Sequence, residues 1–303
     1  MFAQRTLARP VELVGVGLHS GQPVRLGLYP SEPDSGLVFV RTDLEPPVTI
    51  PAQAHRVQET LMSSSLVQGT ARLGTVEHLM AALAACGVDN LRMAVHGAEI
   101  PIMDGSAQPF VAAILAAGLQ DQPAAKRFIQ VLQPVEVRVG DKWARLSPSD
   151  RFQLDFCIEF DHPVIAATPQ QVHVDFGAAD LQEQFCGART FGFLRDLEHL
   201  HAQQLALGGS LDNAIVVGDT RIENPEGLRC ADEFVRHKVL DAVGDLYLAG
   251  HAILGHYEAH KSGHALNNQL LRALLDQPDL YQWVSFVDEN HNPHRYPDSR
   301  KIA

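Results

Sequence analysis

Three side chains that can bind a metal or move a proton stand one helical turn apart, at His237, Asp241 and Asp245. The surrounding residues, 232–247, carry apolar side chains at Val235, Val239, Leu240, Val243, Leu246 and Tyr247, which is a helical period. On such a helix, spacings of i, i+4 and i+8 align the three side chains on one face. Asp232 and Glu233 suit its positive N-terminal end, and Gly250 lies just past its last turn. An imidazole and a carboxylate one turn apart can hold one side of a zinc ion, which takes nitrogen and oxygen ligands tetrahedrally. Taken alone, the same pair is an ordinary helix-surface contact. Chemistry therefore requires a third ligand, a base and an acid from elsewhere in the chain.

A catalytic zinc uses three protein ligands and keeps a fourth position open for water. His78 is the candidate third ligand, and it adjoins a carboxylate, Glu77, which can serve as the base for that water. No HExxH motif is present, and Glu77 and His78 also fit a plain polar helix start. His264 falls in a loop between a strand and a helix, where functional groups concentrate. An amide hydrolase needs an acid for the departing amine and a positive group near the oxyanion, and a protonated histidine supplies both. Asp245 is the carboxylate placed to orient it. Lys238 suits an anionic or hydroxyl-rich substrate. An exposed loop histidine and a solvated helix lysine are the plainer accounts of His264 and Lys238.

The chain that must position these groups has 303 residues, which suggests two domains of about 100–200 residues each. With 46% hydrophobic and 20% charged residues it can bury an ordinary core. A formal net charge of -12 argues against nucleic acid as a partner. The four cysteines, Cys86, Cys157, Cys186 and Cys230, form no CxxC pair, so neither a cysteine metal site nor a disulfide framework is expected. No secretory signal and no apolar run long enough to span a membrane is read, which sets the expectation of a cytoplasmic protein.

Strands are expected across residues 11–50 and a strand pair within 60–74. The glycine-rich run Gly15-Val16-Gly17-Leu18-His19-Ser20-Gly21 lacks the Lys-Ser/Thr ending of a P-loop and reads as a turn. Thr75 is the expected N-cap of a helix with Glu77 and His78 in its first turn and Gly87 at its close. A strand at 90–95 and a helix at 109–118 follow. The polar, proline-punctuated residues 121–126 mark the expected domain boundary, giving 1–126 and 127–303. Beyond it, strands are expected at 128–132, 135–139, 142–146 and 152–160. A strand–helix–strand insert at about 189–217, the strand 252–260 and a helix from 265 complete the pattern, with an irregular tail from Asp288. Strands precede helices in each half, which is an α+β order.

Six stretches taken together resemble one family. They are Gly17-Leu18-His19-Ser20-Gly21, Thr75-Val76-Glu77-His78-Leu79, Pro101-Ile102-Met103-Asp104-Gly105-Ser106, Arg189-Thr190-Phe191-Gly192-Phe193, the helix motif from His237-Lys238 through Asp241 to Gly244-Asp245-Leu246, and Lys261-Ser262-Gly263-His264 with Asn267. The chain is similar in these runs to the UDP-3-O-acyl-N-acetylglucosamine deacetylases, zinc enzymes of the committed step of lipid A biosynthesis. The resemblance implies two similar α+β domains, each a sheet layer with helices, the helices packed between the two sheet layers and the active site between domains. It implies one catalytic zinc ion held by His78, His237 and Asp241. Glu77 would be the general base, His264 the acid and oxyanion stabiliser, and Asp245 its support. Thr190 would bond the carbonyl oxygen, and Lys238 would meet the headgroup. The insert would form an apolar passage for the 3-O-acyl chain, lined by Phe191, Leu200 and Val216, with Met62, Phe193, Leu197 and Gly209 also assigned to the substrate. His19, Lys142, Phe160 and Lys261 would lie near the UDP moiety. A monomer is expected.

Two other readings compete. One is a different zinc hydrolase, such as a peptidase, on the same ligands. The other is a non-catalytic sugar-nucleotide binding protein with a structural metal, which a fourth protein ligand would close.

Overall fold

The computed structural model describes residues 2–177, 181–287, 293–294 and 296–297. The first half runs β1 (Ala3–Leu7), β2 (Val11–Val16), β3 (Pro23–Pro30), β4 (Leu37–Arg41), β5 (Val48–Pro51), β6 (Val57–Glu59), β7 (Ser65–Gln68), β8 (Ala71–Leu73), α1 (Glu77–Cys86), β9 (Leu91–His96), α2 (Gln108–Ala117) and β10 (Leu119–Ala125). The second half begins β11 (Phe128–Val131), β12 (Val135–Val139), β13 (Lys142–Ser147), β14 (Phe152–Cys157), α3 (Pro163–Ala166) and β15 (Gln171–Asp175). It continues through β16 (Phe191–Phe193), α4 (Leu197–Ala202), β17 (Ile215–Val217), α5 (Glu233–Tyr247), β18 (Ala252–His260), α6 (His264–Leu275) and β19 (Tyr281–Val284). The class is α+β.

The first half builds a five-stranded sheet in the order β2-β3-β9-β4-β5, and the second a seven-stranded sheet in which β18 pairs with β11, β13 and β14. Side chains alternate across these strands. Along β4 and β14, buried and more exposed positions follow each other, so each sheet turns one apolar face inward. Helices cover those faces. α2 packs on β2, α6 on β12 and β13, and α5 on β14. The two layers meet where α1 lies along α5.

The α1–α5 contact has a sequence cause. All ten residues of α1 are buried, and half of its apolar side chains are alanines: Ala81, Ala82, Ala84 and Ala85. A helix that is apolar nearly all round belongs inside. On α5, Gly244 faces the first turn of α1, where a Cβ would stand 2.0 Å from the carbonyl oxygen of Glu77. Only glycine permits that approach. Gly244→Ala is therefore expected to push α1 from α5 and to lower stability by about 1–3 kcal/mol, the range for overpacking a filled core. Thermal unfolding tests it; an unchanged melting temperature would show that the helices have slack the packing does not reveal.

Several local expectations need correction. Residues 60–64 are irregular, and the strands lie at 57–59, 65–68 and 71–73. Thr75 does not cap α1. Its φ is +56°, and its hydroxyl donates to Glu99 Oε1 at 2.8 Å. The helix opens instead on Val76, whose N–H donates to the carbonyl of Ser64 at 3.3 Å. Residues 119–125, polar in sequence, form β10, paired antiparallel with β1, another strand the pattern did not announce. We propose that the two halves divide at residue 126. Lys126 is fully buried there, its Nζ donating to Asp89 Oδ1 at 2.6 Å and to the carbonyl of Gly87 at 3.0 Å, so the seam is a packed one. The insert at 189–217 does form strand, helix and strand, with β16 and β17 pairing in parallel. The tail from Asp288 lies largely outside the described residues.

Candidate active site

α5 carries its three chemical side chains on the face turned to α1. His237, Asp241 and Asp245 are all buried, as are Glu77 and His78 at the start of α1. The Nε2 atoms of His237 and His78 stand 3.4 and 3.6 Å from one oxygen of Asp241, Oδ1. Ligand atoms of these three residues all lie within 4.8 Å of one another, a grouping that could hold a metal ion. The imidazole rings are edge-on, with centroids 5.1 Å apart. His237 Nδ1 donates to the carbonyl of Ala188 at 3.1 Å, which fixes the tautomer and leaves the Nε2 lone pair facing the cluster. Burial, with the adjacent His78 and Lys238, pushes the His237 pKa down to about 3 against the pull of Asp241. A neutral imidazole is the ligating form.

The donor set fits a zinc ion. It offers two imidazole nitrogens and one carboxylate oxygen, all buried and mutually close, and it borders a cavity, with no fourth ligand grouped with them among the described residues. Asp241 divides its oxygens: Oδ1 faces the histidines while Oδ2 accepts from Lys238 Nζ at 2.6 Å. Burial disfavours both charges of that pair, yet the pairing keeps Asp241 ionised, well below the usual carboxylate range, and holds Lys238 protonated. His78 Nδ1 is buried with no hydrogen-bond partner among the described residues.

The acid and base candidates face the same point. Glu77 Oε1 is 3.8 Å from His264 Nε2, and Oε2 accepts the backbone N–H of Ser64 at 3.0 Å. Burial raises the Glu77 pKa, against the opposing pull of His264 and His78. His264 is the first residue of α6, behind Gly263 as N-cap. Its Nδ1 donates to Asp245 Oδ2 at 2.9 Å. Burial works against the imidazolium, as does the helix N-terminus, but Asp245, Glu77 and Asp241 outweigh them and raise the His264 pKa to about 9.

Thr190 is placed by its neighbour. Arg189 is buried with Glu233 at the start of α5: its N–H and Nε both donate to Glu233 Oε1, at 3.0 and 2.9 Å. Thr190 N–H then donates to the carbonyl of Gly105, and its own carbonyl accepts Ile215 N–H, both at 2.8 Å. Gly105 has φ +84°, and a Cβ there would lie 2.1 Å from the Asn213 carbonyl oxygen, so the motif glycine is required by space as well as conformation.

Two adjoining cavities open from this centre. One, of about 340 Å³, is lined by Glu77, His78, Thr190, His237, Lys238, Asp241 and His264, with Phe160, Phe191 and Phe193 as aromatic walls. The other, of about 470 Å³, shares Met62, Phe191, Phe193 and Leu200 and extends along Leu197, Gly209 and Val216, with His19 beside them. Leu194, Leu197 and Leu211 on its walls are partly solvent-exposed. Lys142 and Lys261 line neither cavity. Lys261 Nζ pairs with Asp141 at 2.6 Å and with Glu159, the neighbour of Phe160, at 3.4 Å. Lys142 follows Asp141 at the exposed start of β13.

Some residues of the site were not foreseen. Leu18 and Asp196 line the centre, Ser64 touches both Glu77 and Asp245, and Glu99 accepts His19 N–H and the Ser20 and Thr75 hydroxyls. Asn267 donates to Asp245 Oδ2 at 2.8 Å. Asn267 stands three residues after His264, one turn on along α6, and that spacing was a usable signal. The others depend on contacts far apart in sequence.

Comparison with known proteins agrees with this geometry. The family model described as UDP-3-O-acyl N-acetylglycosamine deacetylase matches residues 4–276. The chain is 51% identical over 303 residues to the UDP-3-O-acyl-N-acetylglucosamine deacetylase of Histophilus somni (strain 129Pt), covering 100% of this chain and 99% of that protein. It is 52% identical over 296 residues to the one from Cellvibrio japonicus (strain Ueda107), covering 98% of each. Against that of Pasteurella multocida (strain Pm70) it is 52% identical over 297 residues, covering 98% of this chain and 97% of the relative. With a match across nearly its whole length and a buried histidine–aspartate cluster at its centre, this chain belongs to the UDP-3-O-acyl-N-acetylglucosamine deacetylase family.

Proposed function

We propose that this protein is a zinc-dependent amidohydrolase that removes the acetyl group from UDP-3-O-acyl-N-acetylglucosamine. The products are UDP-3-O-acyl-glucosamine and acetate, and the step commits its product to lipid A. The family is one of metalloenzymes. The observation that carries the reading is the meeting of Glu77 and His78, from the first half, with His237, Asp241 and His264, from the second, at the wall of one cavity, with Asp245 behind His264.

His78, His237 and Asp241 would hold the ion. Zinc, when bound, supplies a Lewis acid that polarises the acetamide carbonyl and acidifies water. The chain's own groups do the rest. Glu77 Oε1 takes a proton from the attacking water as its oxygen bonds to the acetyl carbon. A carboxylate whose pKa is raised toward neutrality is the better base for that task. Thr190 donates to the carbonyl oxygen as it gains charge, and His264 stands beside it as a positive group. His264 Nε2 then gives its proton to the amine as the C–N bond breaks, while Asp245 holds the ring through Nδ1. Lys238 keeps Asp241 oriented and meets the headgroup. The apolar passage past Phe191, Leu200 and Val216 takes the 3-O-acyl chain, a feature a peptidase has no need of. His19, Phe160, Lys142 and Lys261 would meet the nucleotide, the first two from the cavity walls and the two lysines from outside both cavities. Among the described residues no helix is long and apolar enough to cross a membrane. We take the protein to act in the cytoplasm as a monomer.

The test is acetate release from UDP-3-O-acyl-N-acetylglucosamine by metal-analysed protein. About one zinc per chain is expected, with activity lost on chelation and restored by zinc, since the three ligands leave one position open. Protein that binds zinc stoichiometrically yet releases no acetate would make the closed structural metal the better account.

A further inference from the structure

The proposed acid and base do not reach their positions independently. One residue outside the assigned roles bonds the base, Glu77, and also Asp245, which holds the acid. Ser64 lies in the irregular segment between β6 and β7 and is 1% exposed. Its backbone N–H donates to Glu77 Oε2 at 3.0 Å. Its carbonyl accepts Val76 N–H at 3.3 Å, at the opening of the helix that carries Glu77. Its hydroxyl donates to Asp245 Oδ1 at 2.6 Å. All three polar groups of Ser64 are spent on the catalytic elements.

These bonds decide which atoms are free to work. With Oε2 of Glu77 held by Ser64, Oε1 is the oxygen turned to His264 Nε2. Asp245 is similarly saturated. Oδ1 accepts from Ser64, and Oδ2 accepts from both His264 Nδ1 and Asn267 Nδ2. Asn267 is itself fixed, its Oδ1 accepting from Tyr257 OH at 2.7 Å and from Ser262 Oγ at 2.6 Å. A carboxylate with only one face tied can rotate and carry its imidazole with it. Buried polar groups left half-satisfied are costly, so a network of this kind holds one arrangement. Among the described residues, Ser64 is the one that hydrogen-bonds both Asp245 and the base.

We propose that Ser64 is a positioning residue of the reaction, fixing the Glu77 carboxylate and the Asp245–His264 pair in one mutual orientation. The proposal rests on the deacetylase reading for its kinetic test and on geometry alone for its spectroscopic one. Ser64→Ala removes only the hydroxyl and leaves both backbone bonds. Its kcat is expected to fall about 10- to 100-fold, as for other groups that orient a ligand or catalytic side chain, with KM within about twofold and zinc content unchanged. Ser64→Thr keeps the hydroxyl and is expected to recover most of the lost kcat. In histidine-labelled protein, the His264 Nδ1–H resonance should move in Ser64→Ala and return in Ser64→Thr, with or without zinc. A Ser64→Ala enzyme with wild-type kcat and an unmoved resonance overturns the proposal. So does a loss that threonine does not restore and that tracks a lowered melting temperature, since that marks packing alone. If the wild type itself releases no acetate, the deacetylase reading falls, and the resonance still decides whether Ser64 orients the pair.

Discussion

Glu77→Gln is expected to lower kcat by a factor on the order of 10² or more while zinc content and KM stay near wild type, the loss typical of removing a general base. The substitution keeps the shape of the side chain and an oxygen able to accept the Ser64 N–H, but no site that can take a proton near neutral pH. The carboxylate is buried and faces the metal-ligand cluster from the next residue along α1. It is not one of the three grouped ligands, so its loss should leave metal affinity in place. Burial raises its pKa from the usual glutamate value, so the working base form needs a higher pH than a free glutamate does. The low-pH limb of the wild-type rate profile should therefore stand above the usual glutamate value and be absent from the residual activity of Glu77→Gln. Retained kcat would remove Glu77 from the base role. Loss of zinc together with kcat would instead make it a ligand.

The helical row was legible because helix geometry is local. His237, Asp241 and Asp245 sit at fixed offsets within one amphipathic period, and α5 runs from Glu233 to Tyr247 much as that period requires. The insert was legible for the same reason, its two short strands and intervening leucines being local signals. The closure of the site was not local. Nothing in the order of residues says that Gly244 lets α1 approach α5, yet that contact brings His78 within 3.6 Å of Asp241. The family motifs supplied what the spacing lacked. β1 and β10 escaped notice because their pairing spans more than a hundred residues and β10 is polar, with Pro123 inside it. Thr75 misled because serine and threonine before an acidic first turn ordinarily cap. Here Glu99, far off in sequence, claims its hydroxyl instead. Lys142 and Lys261 mark the limit of what spacing conveys: the resemblance assigns them to the nucleotide, and the structure pairs Lys261 with Asp141 and Glu159 while neither lysine lines either cavity.

Replacing His264 by glutamine is expected to cost a factor of about 10²–10⁴ in kcat, the range for a lost proton donor, and to abolish the high-pH limb of the rate profile. The sign follows from the acid role. The donor must carry its proton, so activity is present below the His264 pKa and lost above it. Burial and the α6 N-terminus favour the neutral ring, but three carboxylates at its edges win, and the pKa rises to about 9. Those same acids define the charge of the site. Glu77, Asp241 and Asp245 bring three negative charges against one from Lys238, an excess that a divalent ion and an imidazolium share. A bound dication competes with the proton for that excess, so the limb in the zinc-loaded enzyme should fall below about 9, and chelation should raise the histidine's titration. Asp245→Asn tests the same balance from the other side. It keeps an acceptor for Nδ1–H while removing a charge, so the limb should move to lower pH with the fold intact. A limb that stays in place in both variants would assign the titration to another group and leave His264 as a neutral hydrogen-bond donor.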